Sequence, residues 1–168
     1  EKILQIFGIK ILMIVENINK LDSTEFFNIF KNIFEHSDFI THEVDGLRPF
    51  KNKLDVIKSF IKVFDSLSMN IKIKIIKSHP DLGDKIKIME GLTDFSKEEQ
   101  SGAGLANCND EEYKKFHKLN DEFKAKFSIP FIFAIRGKSK KEIFNEFETR
   151  LKSNKVEQEL DKSINQVK

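Results

Sequence analysis

Apolar residues in this chain recur three and four positions apart almost without interruption, and that spacing leaves little room for anything but helices. Phe26, Phe27, Phe30, Ile33 and Phe34 make one stripe, and Leu54, Ile57, Phe60, Ile61 and Phe64 make another. Each is wide enough to bury one face of an α-helix. Strand-like alternation is confined to Ile71–Ile75, where isoleucines alternate with lysines, and its flanks fit a helix equally well. The pattern predicts an all-α protein of about eight helices, near 2–19, 23–36, 50–77, 84–90, 96–107, 109–127, 139–152 and 155–168. Ser23, Ser96, Asn109 and Ser139 stand where an N-cap side chain would accept from free backbone amides. Breaks are expected at Asp45-Gly46 through Pro49, His79 through Gly83, and Ser128 through Pro130.

A length of 168 residues suits one domain with one sizeable core, and no repeat or low-complexity linker divides it. Basic and acidic residues nearly balance, 29 against 27, and Arg48, Arg136 and Arg150 are the only arginines. A nucleic-acid partner is disfavoured by that balance. The lone Cys108 has no second thiol for a disulfide or a thiolate metal site, which is compatible with a reducing compartment. The apolar run from Ile3 to Val15 is broken by Gln5 and Lys10 and is shorter than the roughly 20 residues that span a bilayer, so it reads as an amphipathic helix and no membrane partner is expected. Because the chain opens on Glu1 rather than methionine, it is expected to be a piece of a longer one. Seventeen phenylalanines beside one tyrosine and no tryptophan read as core packing in a biased composition, not as an aromatic ligand box.

Chemistry concentrates in a few places. His79 opens the stretch His-Pro-Asp-Leu-Gly, and the following Pro80 biases it away from helical dihedrals, toward a helix end or turn. An imidazole there can serve as general acid or base near neutral pH, or be a structural or solvated histidine. Ser96 and Glu99 match a capping box, yet Glu99 is also a candidate catalytic carboxylate. Gln100 is either a polar ligand group or a solvated helix residue. Gly102 and Gly104 interrupt a helical pattern at a cost of up to about 1 kcal/mol each, which suggests close approach by another helix or by a ligand. Pro130 to Gly137 is mostly apolar. It either runs extended and offers backbone groups to a ligand or is a buried connection. His36 and His42, with Glu35 and Glu43 beside them, match no common metal-site spacing, and His117 stands apart, so no metal site is expected.

In order and spacing, His79–Gly83, Ser96–Leu105, Leu119-Asn120 and Pro130–Gly137 resemble the 2-oxo-4-hydroxy-4-carboxy-5-ureidoimidazoline (OHCU) decarboxylase family of ureide-forming purine breakdown. The resemblance begins near Asn17, passes through Phe34-Glu35-His36-Ser37 and Leu47-Arg48-Pro49-Phe50, and continues through Phe147-Glu148 and Arg150-Leu151. It implies an all-helical fold, a homodimer, and conversion of the second intermediate after urate oxidation into (S)-allantoin without metal or organic cofactor. It also implies that His79 and Glu99 are catalytic, with His79 the proton donor. Pro80, Ser96, Gln100 and the backbone of Phe131, Ile132, Phe133, Ala134 and Ile135 would bind the ureidoimidazoline substrate. The family works in bacterial cytoplasm or eukaryotic peroxisomes. Two departures stand out. Asp38-Phe39 replaces the proline and tryptophan usual after Glu-His-Ser. The family's substrate-carboxylate arginine aligns a few residues beyond Lys168. The alternative to a decarboxylase is a non-catalytic paralogue that keeps the fold as a ligand-binding or interaction module.

Overall fold

The computed structural model describes residues 15–34, 36–79, 81–82, 108–135, 137–153 and 155–168. Within them every regular element is a helix: α1 Val15–Lys20, α2 Ser23–Phe30, α3 Phe39–Asp45, α4 Lys53–Ser66, α5 Met69–Lys77, α6 Asp110–Phe127, α7 Lys140–Ser153 and α8 Val156–Val167. They belong to two compact units, one of residues up to Ser78 together with Val167 and Lys168, the other of His79–Gln166. The helices expected at 84–90 and 96–107 lie outside the described residues, as does most of the one at 2–19.

The first unit is built on phenylalanine. Phe26, Phe30, Phe60 and Phe64 are essentially solvent-free, and their rings meet across the helices, Phe30 on Phe60 at 5.8 Å and Phe34 stacked on Phe64 at 5.0 Å. Polar clamps fix the chain around this core. The Asn19 carboxamide donates to the Phe50 carbonyl and accepts from the Phe50 amide, both at 2.8 Å. Arg48 ion-pairs with Asp45 at 2.5 Å and donates to the carbonyls of Ile18 and Leu21 at the end of α1, which satisfies acceptors that a helix end leaves open.

Several boundaries differ from the sequence expectation, each for a local reason. The expected 50–77 helix is two helices. Leu67 and Ser68 are extended, and Ser66 turns its hydroxyl onto the Val63 carbonyl at 2.7 Å, a side-chain bond that competes with helix continuation. It also starts late, because Asn52 caps α4 by accepting from the Asp55 amide at 3.0 Å. The expected 23–36 helix stops at Phe30, whose carbonyl is taken by the Thr41 hydroxyl at 3.2 Å, and His36 adopts a positive φ of 52°. Its cap is Asp22, not Ser23. The Asp22 carboxylate accepts from the Glu25 amide at 2.8 Å while Glu25 reaches back to the Asp22 amide at 3.0 Å, a capping box one residue earlier. Helix α3 was not expected. It has only seven residues and no side-chain N-cap bond, so its inward-facing Ile40 and Val44 carry the whole signal.

Among the described residues of the second unit, the helices expected at 109–127, 139–152 and 155–168 nearly coincide with the observed ones. Asn109 and Glu112 form a capping box at 2.9 and 3.0 Å, and Ser139 does the same with Glu142. Acidic residues crowd the first turn of α6 and Lys124 and Lys126 its last, the arrangement the helix dipole favours. Ser128 ends α6 in the left-handed conformation at φ 57°. Phe116, Leu119, Asn120, Phe123 and Phe127 form its buried stripe. Phe147 of α7 stacks on Phe131 with centroids 3.6 Å apart and meets Phe123 edge-on at 5.7 Å.

Arg150 is solvent-free in this core. Its guanidinium pairs in fork geometry with Glu159, donates to the Ile132 carbonyl at 2.8 Å and reaches the Ser163 hydroxyl at 3.3 Å. Arg150→Met, which strands the Glu159 carboxylate in the core, should lower the urea unfolding free energy by about 3–5 kcal/mol. Adding Glu159→Leu should recover much of that loss. A double variant no better than the single one would mean that the pair itself is not the source of the cost.

Candidate active site

Of the residues singled out for catalysis, His79 is described. It stands at a half-buried bend directly after Ser78, which closes α5 by donating its amide to the Lys74 carbonyl at 3.0 Å and its hydroxyl to the Ile75 carbonyl at 2.8 Å. The helix end expected from Pro80 is therefore present. Two residues on, Asp81 pairs with Lys124 of α6 at 2.6 Å, and Leu82 is buried. A polar anchor and an apolar one thus tie down the backbone beyond the imidazole. Pro80, Ser96, Glu99 and Gln100 lie outside the described residues, as do Gly102 and Gly104.

Phe131, Ile132, Phe133, Ala134 and Ile135 run without regular secondary structure in the second unit, as the sequence allowed. Phe131 and Ile132 are buried, and the next three residues are half-buried. Two side chains from the helices hold this backbone. Arg150 takes the Ile132 carbonyl, and Gln166 accepts from the Ala134 amide at 2.9 Å. The Ile132 carbonyl and the Ala134 amide are thus both held by side chains of the helices. Phe133 lies between them. Among the described residues nothing pairs with its amide or carbonyl, which leaves one donor and one acceptor side by side for an amide-like ligand. Beyond it, Lys138 donates to the Ile135 carbonyl at 3.0 Å and Gly137 takes a positive φ of 71°, a turn suited to glycine.

Sequence reasoning had passed over Arg150, Glu159, Ser163 and Gln166. An arginine on the apolar face of α7, in register with Ile143 and Phe147, was the available signal. The histidines outside the site have structural surroundings: His42 stacks on Phe27 at 4.4 Å and His117 is half-buried on α6. Among the described residues no group of three or more His, Cys, Asp or Glu side chains is arranged to hold a metal ion. Burial raises the Cys108 thiol above its ordinary range, Lys140 opposes the rise and Glu112 adds to it, a shift that disfavours the thiolate.

Among the described residues every regular element is a helix, and an irregular aromatic segment is pinned between them, which defines the class as an all-helical protein. The chain belongs to the OHCU decarboxylase family, whose model matches residues 19–168. It is 31% identical to the 2-oxo-4-hydroxy-4-carboxy-5-ureidoimidazoline decarboxylase of Xenopus laevis over 156 residues, 93% of this chain and 89% of that one. It is 34% identical to the uric acid degradation bifunctional protein of Bacillus sp. TB-90 over 143 residues, 85% of this chain and 28% of that one. The chain thus spans just over a quarter of that bifunctional relative. Among solved structures, an (S)-allantoin synthase crystal structure superposes with a TM-score of 0.71 at 19% identity, over 92% of this chain and 50% of that one. An OHCU decarboxylase crystallised with (S)-allantoin gives 0.63 at 18%, over 82% and 87%. At these identities the superpositions establish the fold.

Two ion pairs among the described residues join α6 to α7, Lys115 with Glu148 at 2.9 Å and Lys140 with Glu112. Lys140 Nζ sits 2.7 Å from the Glu112 carboxylate, and that bond, with the Asn109 amide behind it, holds the Glu112 carboxyl below the usual carboxylate range. A carboxyl with a lowered folded-state pKa adds stability above its unfolded value and loses it as pH falls through its folded one. Glu112→Gln keeps the cap acceptor and loses the charge. It should cost up to about 1 kcal/mol in urea unfolding at neutral pH, and the gap should close as pH drops below the ordinary glutamate range near 4. A gap that persists unchanged in acid would show that the charge contributes nothing.

Proposed function

We propose that this chain is a single catalytic domain that decarboxylates 2-oxo-4-hydroxy-4-carboxy-5-ureidoimidazoline to (S)-allantoin in urate degradation. The observation that carries the reading is the family match across residues 19–168. The half-buried His79 and the unused backbone edge at Phe133 supply chemistry of the kind that reaction needs.

The substrate's own structure explains why a protein of this kind suffices. The ring carbon bearing the carboxylate adjoins a ring C=N. When the carbon–carboxylate bond breaks, its electron pair becomes a C=C bond to the neighbouring carbon as carbon dioxide leaves, and the imine pair moves onto the ring nitrogen, which takes up a proton. The hydroxyl on the same carbon loses its proton and becomes the ring carbonyl, and a proton is added at the neighbouring, ureido-bearing carbon. The protein's share is to orient the ring, exclude water and deliver that last proton to one face. We assign the delivery to His79, since an imidazole is the side chain best suited to act as general acid or base near neutral pH. Glu99 orients the imidazole or binds the hydroxyl and ureido groups. Ser96 and Gln100 complete the polar shell, and Pro80 forms part of the wall. The backbone of residues 131–135 holds the ring and ureido amides. No metal or organic cofactor enters this scheme. By family resemblance, we propose a homodimer as the working form and the cytoplasm or a peroxisome as the compartment. No described helix is long and apolar enough to cross a membrane.

The test generates the labile substrate in situ from urate with urate oxidase and hydroxyisourate hydrolase, and follows allantoin by circular dichroism. Spontaneous decay gives racemate. The expected result is a rapid optical signal that His79→Ala slows by about 100-fold or more. Racemic product at the uncatalysed rate from a chain that includes the terminal arginine would instead support the non-catalytic ligand-binding paralogue.

A further inference from the structure

Asn120 is the only polar member of the buried stripe of α6, and it is 2% exposed. Among the described residues, neither its Nδ2 nor its Oδ1 has a hydrogen-bond partner. A carboxamide offers two donors and an acceptor. Burying it unpaired forfeits its hydration with nothing in return, and a leucine of similar volume would suit the same helix face better. Among the described residues, then, no packing partner accounts for asparagine at this position.

Its place on the helix supplies one. Viewed down α6, at 3.6 residues per turn, Asn120 falls between Phe123 and Lys124, each on the next turn. Phe123 meets Phe131 edge-on at 5.2 Å, at the head of the segment whose Phe133 backbone is unused. Lys124 holds Asp81 at 2.6 Å, two residues beyond His79. The orphan carboxamide thus lies between the helix positions that anchor the histidine's stretch and the backbone edge.

We infer that Asn120 is a substrate-binding residue, its carboxamide pairing with an N–H and a C=O of the ring or ureido group. Donor and acceptor on one planar group complement the same pair on a ureide, the match that two amides make. The inference rests on the decarboxylase reading and adds to it a side chain from α6.

Asn120→Leu separates this role from a structural one. The expected result is a melting temperature equal to or above that of the parent chain, with kcat/KM lowered about tenfold or more, mainly through KM. A variant that melts lower would show that the carboxamide has a structural partner, and unchanged kcat/KM would show that substrate ignores it. Either result overturns the inference. A second measurement needs no variant. On titrating the parent chain with (S)-allantoin, the Asn120 side-chain ¹⁵N–¹H signals should shift, and signals that stay put overturn the proposal. Racemic product from the parent chain would count against the decarboxylase reading, whereas optically active turnover that is indifferent to Asn120→Leu counts against this inference alone.

Discussion

The second unit depends on a buried charge. Arg150 carries a full positive charge into a site with no solvent exposure, which is tolerable only where counter-charge and acceptors are supplied in full. Glu159 supplies the charge, while the Ile132 carbonyl and the Ser163 hydroxyl take further N–H groups. The faces of Phe131 and Phe123, 4.6 and 5.6 Å from the guanidinium carbon, add favourable quadrupole contacts. One side chain thereby ties α7 to α8 and both to the stretch that follows α6. That stretch has no helix or strand of its own to satisfy its backbone. An irregular segment survives among helices only where side chains take over that duty, and Arg150 and Gln166 do so for alternate residues. Among the described residues, Phe133 between them has no partner for its amide or carbonyl.

The first unit is organised differently. Its core is apolar and uncharged, phenylalanine rings packed with isoleucine and valine, and polar clamps gather where the chain turns. Asn19 acts as a surrogate strand for Phe50, returning both of that residue's backbone bonds. Arg48 closes the end of α1, and its guanidinium lies over the Phe26 ring at 5.1 Å. This division of labour accounts for the run of phenylalanines in the sequence, since a core filled by large rigid rings buries much apolar area per residue.

These differences explain what could be read from sequence. Helices α6, α7 and α8 were legible nearly to the residue, because long amphipathic stripes coincide there with side-chain caps at Asn109 and Ser139. In the first unit the stripes were just as clear, but the boundaries were not. Thr41, remote in sequence, ends α2 by taking the Phe30 carbonyl, and two serines break the run at Leu67 while the apolar period continues through it. A period reports which face is buried and not where the chain stops being helical. The Arg150–Glu159 pair was hidden for a related reason. Its members sit on different helices, so no helical spacing links them. His79 was legible as a helix-end imidazole from Pro80 alone, whereas its catalytic assignment came from family resemblance, as did those of Glu99, Ser96 and Gln100.

The contrast between Arg150 and Asn120 bears on function. Both are polar, both are buried, and both belong to the aromatic core of one unit. Arg150 presents the harder problem, a permanent charge with five donors, and the fold solves it with three partners. Asn120 presents the easier one, a neutral carboxamide that a single serine or backbone carbonyl would partly satisfy, and among the described residues it has no partner. A core able to pair a guanidinium has no lack of means to pair an amide. Departures from local consistency gather where a protein must meet something other than itself, and the ureido-bearing ring of the proposed substrate is rich in the N–H and C=O groups that a carboxamide lacks here. In a reaction where the substrate carries its own electron sink, such contacts are most of what the protein can contribute: they fix the ring so that the proton arrives on one face.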